Sequence, residues 1–194
     1  MNVQLPHTTE KEYAIFESTL KLIQAQGFHG TPMSQIAHEA GVATGTIYHY
    51  FRSKDELILE LFGYCKSKVK VAMFRDEDTD LPYPERFVLI WLNLANYYIR
   101  RPEILSFLEQ FFSSPYVRQL YTEASICFQD EVCNFLQQGV SDGLIKTMDI
   151  NIISAAYIGT AAATAKRHVN GYFKFQEEDM RNMVGIIWDG IKVQ

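Results

Sequence analysis

The chain has 194 residues, 47% of them hydrophobic, enough to bury a sizeable core as one domain or two small ones. Its net charge of −5 runs against the basic balance common in nucleic-acid binders, and its longest apolar run, Phe87 to Leu94, is far short of the roughly 20 residues that span a bilayer. Met1-Asn2-Val3-Gln4-Leu5-Pro6-His7 lacks the basic start and apolar core of a secretion signal, and three cysteines without a CxxC pair (Cys65, Cys127, Cys133) read as reduced thiols, so a cytoplasmic protein with no membrane anchor is expected.

Charge is unevenly spread. Residues 1–75 carry eight basic and seven acidic side chains, and residues 76–194 carry ten and sixteen. A local basic run follows in Lys54, Lys66, Lys68, Lys70 and Arg75. DNA binding is therefore permitted only through a focused patch.

In chain order, the apolar spacing is helical throughout, with no sustained alternation and no hairpin signal. Glu10 to Gln26 places Ile15, Phe16, Thr19, Leu20 and Ile23 on one face and stops at Gly27-Phe28. Thr31-Pro32 reads as a cap followed by proline at the first helical position. The short helix it opens carries Ile36, Ala37 and Ala40 inward, and Gly41 can end it in the left-handed conformation. Val42 would plug the corner, while Ile47, Tyr50 and Phe51 hold a second short helix to the body. Thr44, Gly45, Thr46, Tyr48 and His49 are left facing outward, a set of hydroxyls, a ring nitrogen and bare backbone suited to phosphates and base edges. Residues 32–51 thus read as a helix-turn-helix. Ser53 caps a fourth helix in which Glu56 completes a capping box and Leu57, Leu61, Tyr64 and Cys65 point inward.

Asp76 to Pro84, acidic and with two prolines, is the linker candidate. Beyond it, Glu85 to Arg101 is apolar nearly all round, as in a buried central helix. Pro102 starts a helix with Ile104, Phe107, Leu108, Phe111 and Phe112, broken at Ser113-Ser114-Pro115. A long stripe from Val117 to Leu136 stops at Gly139 to Gly143. Asp149 caps a helix rich in alanine and glycine, and Glu177-Glu178-Asp179 opens the last one with negative charge at its positive end. The fold class is all-α with nine helices. A three-helix helix-turn-helix head is joined by a fourth helix to a five-helix bundle, with the head over residues 9–69 and the bundle over 76–194.

Gly27-Phe28-His29-Gly30-Thr31, Ile36-Ala37, Ala40-Gly41-Val42, Gly45-Thr46-Ile47-Tyr48-His49-Tyr50-Phe51, Ser53-Lys54 and Glu56-Leu57 together closely resemble the head of the tetracycline-repressor (TetR) family of bacterial transcription regulators. The resemblance covers the first third of the chain. The rest resembles the family in helical plan, length and the Gly139, Asp142-Gly143 turn. It implies that Thr44, Gly45 and Thr46 start the recognition helix in the major groove, that Tyr48 donates to a phosphate, and that His49 reaches a phosphate or base edge. Lys54 would clamp another phosphate at the positive end of the fourth helix, and Thr31 and Ser34 would do so at the second. Pro32 and Ala43-Thr44 depart from commoner hydroxyl and basic residues, and the missing basic residue before Gly45 implies modest affinity per half-site. Dimerisation then matters more.

The family plan also implies a ligand-binding and dimerisation domain in the second part. Among its many aromatics most are core, and Trp91, Tyr98, Phe111, Tyr121, Phe128, Tyr157 and His168 are the candidates to line a site for a small apolar or aromatic effector. The last two helices are the candidate homodimer face. The leading expectation is a homodimeric repressor released by its effector from a palindromic operator in double-stranded DNA. The alternatives are control by a protein partner or a helical-bundle enzyme. No HExxH, GxxxxGK, GxSxG or strand-to-helix GxGxxG occurs, so no catalytic residue, metal or cofactor is expected.

Overall fold

The structure is a computed structural model and describes residues 8–120 and 131–194. The described residues form ten helical segments: α1 (Glu10–Gln26), α2 (Met33–Glu39), α3 (Thr44–Tyr50), α4 (Lys54–Met73), α5 (Tyr83–Arg100), α6 (Pro102–Phe112), α7 (Val117–Leu120), α8 (Glu131–Ser141), α9 (Ile150–Val169) and α10 (Glu177–Ile191). No strand occurs among them beyond an isolated bridge between Ile145 and Lys192. Of the stripe read as one helix from Val117 to Leu136, residues 117–120 and 131–136 are helical, and 121–130 lie outside the described residues.

Helix ends follow local chemistry. At the start of α1, Thr9 and Glu12 form a reciprocal capping box: the Glu12 N–H donates to Thr9 Oγ1 at 3.2 Å and the Thr9 N–H donates to the Glu12 carboxylate at 2.8 Å. α2 begins one residue later than expected. Pro32 is its cap without a side-chain hydrogen bond, because the Thr31 hydroxyl instead donates back to the Gly27 carbonyl at 2.8 Å. Ser53 Oγ accepts the Glu56 N–H at 3.1 Å, and the Glu56 carboxylate reaches past the cap to the Arg52 N–H at 2.5 Å.

The chain divides into two compact units, residues 8–68 with 103–120, and residues 69–102 with the described residues from 131 onward. The first unit contains a segment that the sequence assigned to the bundle. α6 and the residues after it pack with α1 and α4: Phe111 stacks on Phe62 with centroids 4.1 Å apart, and Phe107 meets Phe28 edge-on at 5.7 Å. Gln110 Nε2 donates to the Ile23 carbonyl at 3.3 Å. The Tyr116 hydroxyl donates to Asp55 Oδ1 at 2.7 Å, and burial followed by that carboxylate pushes its pKa up to about 12. Ile15, Leu20, Ile23, Ile36, Ile47, Leu57, Ile58 and Leu61 complete this core.

In the second unit α5 lies against α9 and α10. Trp91 and Tyr157 are fully buried and lock these helices: Trp91 Nε1 donates to the Tyr157 carbonyl at 3.0 Å, and the Tyr157 hydroxyl donates to the Phe87 carbonyl at 2.7 Å. The segment read as a linker is pinned to α5. Both Arg86 Nε and a terminal guanidinium nitrogen donate to Glu77 Oε1, at 3.1 and 2.6 Å, and Asn93 Nδ2 donates to the Met73 and Arg75 carbonyls. Cys65 is buried and forms no disulfide, whereas Cys133 is disulfide-bonded, which corrects the expectation of three reduced thiols; Cys127 lies outside the described residues.

Gly139 of α8 has no room for a side chain. A Cβ there would land on the Tyr83 ring and hydroxyl, whose own position is fixed by donation to the Phe135 carbonyl at 2.9 Å and by stacking on Phe135 at 4.5 Å. Gly139→Ala is therefore expected to cost about 1–3 kcal/mol, the usual penalty of overpacking. Urea unfolding of the variant should show that loss as a lower midpoint.

Candidate nucleic-acid interface

The helix-turn-helix is built from α2, the turn at Gly41 and α3. Gly41 has φ +67° and no neighbour near its missing Cβ, so backbone conformation alone selects glycine here. The Val42 N–H then returns to the Ala37 carbonyl at 2.9 Å, closing the corner. α3 is held from beneath by Ile47 and Phe51, both buried, with Phe51 meeting Phe16 of α1 at 5.5 Å.

With Ile47 and Phe51 fixed inward, helical spacing places Thr44, Gly45, Tyr48 and His49 outward. All four are exposed, and Tyr48 shows 51% of its surface. Thr46 is half-buried. A Cβ on Gly45 would meet nothing within 4 Å, so this part of the helix offers bare backbone to whatever approaches. The His49 ring meets the Tyr50 ring edge-on at 5.7 Å. Ser34 is exposed on α2.

Two expected phosphate ligands are placed differently. Thr31 is fully buried and its hydroxyl is spent on the Gly27 carbonyl, so it presents no surface to DNA. The Lys54 ammonium donates to the Phe28 carbonyl, and burial, partly offset by the Asp55 charge, lowers its pKa. The basic run beyond it is also engaged within the chain. Lys68 sits over the Tyr64 ring at 5.2 Å, Lys66 over Phe62 at 5.7 Å, and Lys70 pairs with Glu131. Arg52, passed over in the sequence, is exposed directly after α3. Its signal was its place between the buried Phe51 and the capping Ser53.

The expected effector residues separate. Trp91, Tyr98 and Tyr157 are buried in the second unit, while Phe111 belongs to the first unit, because its ring stacks on Phe62 of α4. Tyr121 and Phe128 lie outside the described residues. His168, near the end of α9, is half-buried, and its Nδ1 is closed to solvent with no hydrogen-bond partner among the described residues. An open groove of about 590 Å³ between α1 and α4, lined by Glu12, Phe16, Leu59, Glu60, Gly63 and Tyr64 among others, includes none of these residues.

Family models agree with this architecture. Residues 15–61 match the model of the bacterial regulatory proteins of the tetR family, and residues 82–192 match that of the tetracyclin repressor-like C-terminal domain. The chain belongs to the TetR family. A helix-turn-helix transcriptional regulator of uncharacterised role from Haemophilus influenzae is 28% identical over 184 residues, covering 95% of this chain and 97% of that protein. The fatty acid metabolism regulator protein of Bacillus subtilis is 25% identical over 180 residues, covering 90% and 91%. The crystal structure of a tetR family transcription regulator from Shewanella sp. PV-4 superposes with a TM-score of 0.79 at 27% identity, covering 96% of this chain and all of that one. As a TetR-family protein, the chain is a DNA-binding transcription regulator and not an enzyme. Among its described residues no helix is long and apolar enough to cross a membrane.

Proposed function

We infer that this TetR-family protein is a cytoplasmic homodimeric repressor that leaves a palindromic operator when a small apolar effector enters its second unit. The observation that carries the DNA-binding half is the outward row Thr44, Gly45, Tyr48 and His49 on a helix anchored by Ile47 and Phe51. Thr46 at the edge of that row, Ser34 on α2 and Arg52 complete the proposed contacts, with Lys54 acting through any donor left beyond the Phe28 carbonyl. Arg52 supplies the positive charge that is missing before Gly45.

Dimerisation is supported by an apolar stripe on the last two helices. Ile152, Ala155, Gly159 and Ala163 are exposed at helical spacing along α9, and Ile186 of α10 leaves 70% of its surface open. Small residues at such a stripe let two helices approach closely. The effector reading is supported by the share of sequence in common with a regulator named for fatty acid metabolism, and by the apolar packing of α5 against α9. α4 spans Lys54–Met73, and the boundary between the units falls within it at Lys68–Val69.

The test is a titration of DNA from upstream of the chain's own gene at fixed salt. A segment bound in preference to unrelated DNA is expected. Equal binding to both overturns the reading.

A further inference from the structure

On the buried face of α9, the polar tips of most side chains are accounted for. Tyr157 donates to the Phe87 carbonyl, and the Thr160 hydroxyl donates to the Ala156 carbonyl at 2.6 Å while accepting from Trp91 Nε1 at 3.2 Å. One turn further on the pattern stops. Thr164 is 1% exposed and its hydroxyl has no partner among the described residues, and the buried His168 Nδ1 has none among them either. A helical threonine in a suitable rotamer folds its hydroxyl back onto the carbonyl four residues earlier, as Thr19 and Thr160 do here, and Thr164 does not. Buried polar groups without partners are rare, and two of them four residues apart share one helix face.

We propose that Thr164 and His168 form the hydrogen-bonding end of the effector site and take the uncharged carbonyl oxygen of an otherwise apolar ligand, a proposal that rests on the effector reading above. The stoichiometry favours a carbonyl. The threonine hydroxyl and an imidazole N–H supply two donors, and a carbonyl oxygen offers two lone pairs. His168 stands in the last turn of α9, where the helix dipole is negative and disfavours a carboxylate, while the cations of that turn, Lys166 and Arg167, are exposed to screening solvent. The rest of this face is apolar and buried, through Ile153, Tyr157, Ala161 and Ala165. A second copy of the chain does not satisfy the pair, since both atoms are already closed off within one chain.

The experiment follows tryptophan fluorescence of the full-length protein during titration with methyl laurate, laurate and dodecane. The wild type is expected to bind the ester at least tenfold tighter than either of the others. Thr164→Val and His168→Phe should each weaken the ester about tenfold, one net hydrogen bond, while leaving dodecane unchanged, and Thr164→Ser should restore binding. Thr164→Val should melt no lower than wild type, because it removes a hydroxyl that has no partner. Ester binding equal to that of dodecane, a preference for laurate, no binding of any probe, or variants that bind the ester like wild type each overturn the proposal; the last is the outcome if a water holds the pair. Operator binding by the wild-type protein without probe is measured on the same preparation, so a failure here is separated from a failure of the repressor reading.

Discussion

Ile152→Glu combined with Ile186→Glu is expected to convert the protein to a monomer and to weaken operator binding by at least a hundredfold. The two side chains are 62% and 70% exposed in the single chain, so the charges cost the monomer fold little. In a two-fold symmetric dimer the same pair occurs on both subunits, and four carboxylates would be desolvated against an apolar stripe. The loss in DNA binding follows from linkage. A dimer holding one half-site presents the second recognition helix at high effective concentration, and a monomer has no second helix to present. Sedimentation velocity and DNA titration on the same sample check both parts. A variant that stays dimeric places the interface elsewhere. A monomer that binds the operator like wild type removes the need for two half-sites.

The second large effect concerns Tyr48. Removing its hydroxyl by Tyr48→Phe should leave thermal stability unchanged, because the ring lies half-exposed on α3 above Ile47 and Phe51. A hydrogen bond to a phosphate contributes about 1–1.5 kcal/mol net, and it occurs twice in a symmetric dimer. Operator affinity should therefore fall about 30- to 150-fold at moderate salt, with a similar fractional loss on every sequence, since phosphate contacts carry no base information. Unchanged affinity in fluorescence anisotropy would take Tyr48 out of the interface.

The helix-turn-helix was legible because each of its parts is a local rule. A glycine at the corner, buried residues at Ile47 and Phe51, and a polar remainder are all read from spacing alone. Thr31 is taken out of the interface, and Lys54 shares its ammonium with the protein, for one reason. Sequence shows that a residue can donate a hydrogen bond but not which acceptor lies within reach, and here the nearest acceptors were the Gly27 and Phe28 carbonyls. The lysines at 66, 68 and 70 looked like a basic patch, yet rings on α4 and a carboxylate on α8 engage them.

The bundle was harder to read for a different reason. Phe107 and Phe111 declare a buried helix face, but an apolar stripe does not name the surface it covers, and α6 packs with the head's Phe28 and Phe62. Trp91 and Tyr157 were chosen as ligand contacts for their polar tips, and those tips are spent on backbone carbonyls. Thr164 carried no signal in the sequence. Its hydroxyl becomes conspicuous only once its neighbours' hydrogen bonds are assigned.

The central claim is that two copies of α3 read two half-sites on one face of DNA. It is tested by footprinting the protein on DNA upstream of its own gene, then titrating that site and a version with about five base pairs, half a helical turn, inserted between the half-sites. The account predicts a symmetric footprint and a loss of at least tenfold in affinity on insertion, because the half-sites then face opposite sides of the duplex. Affinity indifferent to the insertion, and no tighter than for unrelated DNA at the same salt, would contradict it.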